Sequence, residues 1–116
     1  MQDILIGGVP VGHDQPCFVI AELGAMYEDL DGMKELIRQA RRAGADAVKI
    51  QTYRAETLAL PGAEFEFEDG TKESQFDFFK RHEVSREAHY ALFDCAREEG
   101  IPMFSTPSHR DDVDLL

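Results

Sequence analysis

Lys49 lies inside a short apolar run, Ala47-Val48-Lys49-Ile50, with Gln51 directly after it. An ammonium in such a run is costly unless it has a partner or a task. Two other apolar runs end in polar groups in the same way. Glu22 closes the run that begins at Cys17, and Ser105 and Thr106 follow Met103-Phe104. A carboxylate, an ammonium, an amide and two hydroxyls together could hold a small anionic metabolite through charge-assisted hydrogen bonds. Lys49 and Gln51 are two residues apart, so a strand would put them on one face, opposite Val48 and Ile50. Other readings stay open on pattern alone. Glu22 and Lys49 also read as a structural ion pair between neighbouring strands. Ser105-Thr106-Pro107 taken by itself is an ordinary strand exit. A desolvated Lys49 would also suit a Schiff-base nucleophile.

The elements that must position these groups follow from hydrophobic period and punctuation. Ile4 to Ile6 and Val9 to Val11 flank Gly7-Gly8 and predict a small hairpin. Residues 17–23 form a nearly continuous apolar run, the pattern of a strand buried on both faces of a parallel sheet. A loop covers 24–29. The spacing of Met33, Leu36, Ile37 and Ala40 predicts a helix over 31–43, with Gly44 at its end. A second strand occupies 45–51. A long polar connection, 52–73, carries the turn signals Pro61-Gly62 and Asp69-Gly70. Within it, residues 64–69 alternate like an exposed strand, and a lid over a cleft is equally open. A loop of that length in a compact domain is usually functional or mobile. A short helix is predicted over 75–81. Ser85 caps another over 86–99, with Ala88, Leu92, Cys95 and Ala96 inward and Gly100 at its end. A third strand spans 103–107, and 113–116 begins a further helix.

Strand, helix and glycine therefore recur in order, and such alternation implies parallel strands joined by helical crossovers. Ligands bind at the carboxyl ends of strands in these sheets, where Glu22, Lys49, Gln51, Ser105 and Thr106 all fall. Neighbouring strands lie ~4.8 Å apart, so the first and third ends would be roughly 10 Å apart. That is the span of a small phosphorylated metabolite.

Composition sets the outer bounds. The 116 residues allow one modest domain with a small core. Acidic residues outnumber basic ones 23 to 12, a net charge of −11, which argues against nucleic acid or a polybasic membrane contact. Focused donors in a cleft can still outweigh that mean field for an anionic ligand. No stretch approaches membrane-spanning length, and the start lacks a signal-peptide pattern, so a cytoplasmic location is expected. Cys17 and Cys95 have no metal-like or redox-like spacing and read as buried small hydrophobes in a reducing compartment. The four histidines lack metal-ligand spacing, and His82 and His89, in a polar helical region, read as solvated. No Gly-rich phosphate loop follows the first buried strand.

The residues Phe18-Val19-Ile20-Ala21-Glu22-Leu23-Gly24, the stretch 43–53 centred on Val48-Lys49-Ile50-Gln51-Thr52, then Phe104-Ser105-Thr106-Pro107 and Val113-Asp114-Leu115-Leu116 resemble the sialic acid synthase family. The resemblance covers nearly the whole chain in the family's order. It implies an α/β fold: residues 1–116 as the N-terminal portion, about three β/α units, of a (β/α)8 TIM barrel, preceded by the hairpin. A whole barrel takes ~250 residues. The implied reaction condenses phosphoenolpyruvate with an N-acylated amino-sugar such as N-acetylmannosamine, releasing phosphate and forming a nonulosonic acid. Carried over by position, Lys49 would hold phosphoenolpyruvate, and Thr106, with Ser105 as a second candidate, would bind its phosphate or carboxylate. Glu22 would lie near the reacting C2 or the water, and Gln51 would hydrogen-bond substrate. The resemblance also implies a divalent metal, manganese or magnesium, that polarises the aldehyde through ligands beyond Leu116, and a homodimer when full length. The alternatives are an aldolase-type barrel using Lys49 and a non-catalytic sugar-phosphate binder. The chain departs from the family pattern in two loops at the implied catalytic rim, at Met26-Tyr27 and at Ser108-His109.

Overall fold

A computed structural model describes residues 2–24 and 29–116. The departure at Met26-Tyr27 lies outside the described residues. β1 (Ile4–Ile6) and β2 (Val9–Val11) form the expected antiparallel hairpin. β3 (Ile20–Glu22), β4 (Ala47–Thr52) and β7 (Met103–Pro107) make one parallel sheet in the order β3-β4-β7. The crossovers carry α1 (Leu30–Arg42) between β3 and β4, and α4 (Arg86–Glu98) between β4 and β7. A last helix, α5 (Arg110–Leu115), follows and starts three residues before the predicted 113.

Both crossover helices form for the same local reasons. Asp29 caps α1 by accepting from the Gly32 N–H at 2.7 Å, and Ser85 caps α4 by accepting from the Ala88 N–H at 3.1 Å. Each then stops in one device. The Gly44 N–H donates to Arg41 O and the Ala45 N–H to Ala40 O, and Gly100 and Ile101 repeat this on Arg97 and Ala96. Such a terminus needs a left-handed residue after the cap, and Gly44 and Gly100 stand at φ +88° and +67°. The chain thus leaves each helix at a fixed angle and enters the next strand.

Met33, Ile37 and Ala40 of α1 and Leu92, Cys95 and Ala96 of α4 bury Val48 and Ile50 between helices and sheet. Leu36 and Ala88 are half-buried at the margin of this layer. The opposite face of the sheet is covered by no described helix. This corrects the expectation that 17–23 is buried on both sides. Only three residues are strand, Ile20 is 44% exposed, and Cys17 is exposed as well. Val19 and Asp46 join this edge to its neighbour, the Asp46 carboxylate accepting from the Val19 N–H at 2.7 Å.

The connection after β4 is more folded than expected: it contains α2 (Ala55–Leu58) and a hairpin of β5 (Glu64–Glu66), within the stretch that alternates like a strand, and β6 (Lys72–Ser74). The helix expected over 75–81 follows as α3 (Gln75–His82). Phe65 packs edge-on against Phe78 and Phe79, with centroids 5.3 and 5.6 Å away, and Tyr53 meets Phe79 at 5.4 Å. Four rings thus give this acidic segment a small apolar centre of its own. The Tyr53 hydroxyl is buried there without a hydrogen-bond partner among the described residues, and burial, then the Glu83 carboxylate, push its pKa up. A buried unpaired hydroxyl costs about 1–3 kcal/mol of desolvation. Tyr53→Phe is therefore expected to raise Tm by several degrees, and a fall in Tm on calorimetry would contradict the orphan hydroxyl.

Candidate active site at the strand ends

Register decides which polar groups meet. In the parallel ladder Glu22 stands opposite Lys49, Lys49 opposite Phe104, and Gln51 opposite Thr106. Residues in register share a face, so Glu22, Lys49, Gln51 and Thr106 gather on the helix-free side at the carboxyl ends of three adjacent strands. The expectation that the three strands run parallel with these groups at one end holds.

Lys49 is the hub of the group. Its Nζ lies 2.5 Å from Glu22 Oε2 and donates to Thr106 Oγ1 at 3.1 Å. The second oxygen of Glu22 accepts from the Gly24 N–H at 3.1 Å, and the Leu23 N–H donates to Lys49 O at 2.8 Å. Two of the three ammonium hydrogens are thereby directed, and one remains for a ligand. The Gln51 side chain makes no hydrogen bond to another described residue, so both ends of its amide are open. The side chains of Lys49 and Glu22 keep 28% and 40% of their exposure. An ion pair this wet is worth about 0–1 kcal/mol, too little to justify an ammonium in an apolar strand by stability alone. The cluster is neutral when empty, and an arriving anion would compete with Glu22 for Lys49.

Ser105 does not join this group. Consecutive strand residues point to opposite faces, and Ser105, opposite Ile50, turns toward the helices. Its hydroxyl lies 3.1 Å from Ile50 O and 2.5 Å from Thr52 Oγ1. Thr52 in turn lies 2.8 Å from His89 Nε2, while His89 Nδ1 lies 2.7 Å from Ser85 O. His89 is 3% exposed, which corrects the solvated reading. Its spacing carried the signal, since 89, 92 and 96 fall on one helical stripe with Leu92 and Ala96. His82 is half-buried with Nδ1 2.8 Å from Phe78 O. Beside His89, a cavity of about 310 Å³ opens on the helix side, lined by Tyr53, Arg54, Glu83, Arg86 and Asp112 among others. Lys49 and Glu22 do not line it. The departure at Ser108-His109 forms the entry to α5, where the His109 ring accepts from the Asp111 N–H at 3.3 Å.

No group of three His, Cys, Asp or Glu side chains converges on one point among the described residues. The described residues therefore do not make a metal site. No described helix is long and apolar enough to cross a membrane.

Residues 36–116 match the model of the NeuB family. The chain is 38% identical to the N,N'-diacetyllegionaminic acid synthase of Legionella pneumophila, over 96% of this chain and 33% of that one. It is 35% identical to a pseudaminic acid synthase of Campylobacter jejuni, over 89% of this chain and 32% of that one. Among solved structures, an N-acetylneuraminic acid (sialic acid) synthetase from Leptospira borgpetersenii, in complex with citrate, superposes with a TM-score of 0.81. That pair is 26% identical and covers 99% of this chain and 37% of the other. The chain spans about a third of the length of the curated relatives it matches.

Proposed function

The chain belongs to the NeuB family, and from that premise we propose that it is the phosphoenolpyruvate-holding part of a nonulosonic acid synthase barrel. The observation that carries the reading is Lys49, held 2.5 Å from Glu22 and 3.1 Å from Thr106 where three parallel strands end. In this reading residues 1–116 are the N-terminal portion of a (β/α)8 barrel, and the helix-free face of the sheet is the barrel's interior.

Phosphoenolpyruvate brings a carboxylate and a phosphate. Lys49 receives one of them through its undirected N–H and by releasing Glu22, and the Thr106 hydroxyl donates to the same ligand. C3 of the enol attacks the aldehyde carbon of an N-acylated amino-sugar, forming the new C–C bond and leaving C2 cationic. Glu22, freed from Lys49, lies against C2 and takes a proton from the water that adds there. The alkoxide left on the former aldehyde oxygen takes up the proton that Glu22 removed from water, and the C2 hydroxyl gives its proton to the departing phosphate as the C2–O bond to phosphorus breaks and the keto group forms. Gln51 offers its open amide to the sugar's hydroxyl or acyl groups. Ser105 supports Thr106 from behind and does not touch substrate. A divalent metal, manganese or magnesium, belongs in this proposal to side chains outside the described residues. The reading also places the whole protein in the cytoplasm, as a homodimer.

The aldolase alternative differs from this reading at Lys49, where it requires a Schiff base with a keto-acid. Treating the protein with pyruvate and borohydride is expected to leave Lys49 unmodified, whereas phosphoenolpyruvate shields it from reductive methylation. A reduced pyruvate adduct on Lys49, read by peptide mass spectrometry, would overturn the synthase reading. Equal methylation with and without phosphoenolpyruvate would remove Lys49 from the site.

A further inference from the structure

We propose that His89 is a positioning residue: through Thr52 and Ser105 it fixes the tops of β4 and β7 relative to each other, directly behind Lys49, Gln51 and Thr106. The proposal rests on the site reading given above. His89 and Thr52 are 3% and 2% exposed, so their polar atoms depend on each other and not on water. Ser85 O, 2.7 Å from Nδ1, can only accept, so Nδ1 carries the hydrogen. Nε2 is then left to accept the Thr52 hydroxyl at 2.8 Å. Having given its proton, Thr52 Oγ1 is left to accept from Ser105, whose single hydrogen is shared between Thr52 Oγ1 at 2.5 Å and Ile50 O at 3.1 Å. The donors thus run in one direction, from β7 through β4 to α4. The backbone repeats the link, with the Ser108 N–H donating to Thr52 O at 3.1 Å.

The placement gives this relay its purpose. Thr52 follows Gln51 and Ser105 precedes Thr106, on the opposite side of the same two strands. Any slip of β4 against β7 that stretched the relay would equally stretch Lys49 from Thr106, now 3.1 Å apart. Misplacement of reacting groups by about 1 Å can cost on the order of 100-fold in rate. A polar plug that only filled space between helix and sheet would need no such direction and no contact with both strands.

Two substitutions in the full chain separate the roles. The amide of His89→Gln reaches the position of Nε2 and keeps an acceptor for Thr52, while losing the Ser85 contact. The amide of His89→Asn reaches the position of Nδ1 and does the reverse. Hydrogen exchange is compared at the Ser108 amide, at the top of the ladder, and at the Val48 amide, which donates to Pro102 O at its base. Asn is expected to speed Ser108 exchange about tenfold relative to Val48, and Gln to restore it to within about threefold of wild type. Phosphoenolpyruvate affinity, by calorimetry, is expected to follow the same order. Equal effects of Gln and Asn on exchange, or equal unfolding by both, would make His89 a structural plug and overturn the proposal. If the wild-type chain binds no phosphoenolpyruvate, the ligand assignment fails, and the exchange ratio still decides the role of His89.

Discussion

Lys49→Met is expected to weaken phosphoenolpyruvate binding by about 30- to 1,000-fold, roughly 2–4 kcal/mol, with Tm lowered by a few degrees at most. Met keeps most of the volume and the apolar stem, so the layer formed by Val48, Ile50 and the helices is untouched. The lost pair with Glu22 is wet, at 28% and 40% side-chain exposure, and so contributes little to stability. The lost contact with an anionic ligand is charge-assisted and has no substitute on the helix-free face. Calorimetric titration and a thermal melt of the same preparation read both quantities. A large fall in Tm with affinity intact would make Glu22 and Lys49 a structural ion pair after all.

Ile50→Ala, one residue on, is expected to do the opposite. Ile50 is fully buried between the sheet and the two crossover helices. Truncating it removes transfer energy and leaves a cavity, at about 2–5 kcal/mol. That is a large part of the roughly 5–15 kcal/mol that holds a domain together. A fall in Tm of about 10 °C or more is expected, with affinity per folded molecule near wild type. Adjacent residues of one strand would then separate binding from folding by the face they occupy. Loss of affinity at a temperature where the variant is fully folded would contradict that separation.

Much of this arrangement was legible because it is local. Gly44 and Gly100 mark helix ends by a conformation that glycine adopts without strain, and parity alone places Lys49 with Gln51. Glu22 was legible as the polar end of an apolar run. What escaped was set by register and by contacts distant in sequence. Ser105 and Thr106 cannot share a face, yet only pairing with Ile50 and Gln51 says which of them meets Lys49. The run at 17–23 shows that the segment is apolar, but not whether a second layer covers it, and Ile20 is left open. The acidic connection hid a folded lobe because its centre is made by Phe65 of β5, Phe78 and Phe79 of α3, and Tyr53 from the link between β4 and α2. His89 was misjudged through the polarity of its neighbours, although its helical spacing put it on the buried stripe.

The most direct test is a phosphoenolpyruvate titration of the isotopically labelled chain, followed by amide and lysine side-chain NMR shifts. Saturable shifts are expected at Glu22, Gly24, Lys49, Gln51 and Thr106, with the Lys49 Nζ signal moving as its contact with Glu22 is exchanged for the ligand. The shifts should be abolished in Lys49→Met. Absence of saturable shifts at these strand ends, or shifts confined to the cavity beside His89 and Arg54, would contradict the assignment of phosphoenolpyruvate to this site.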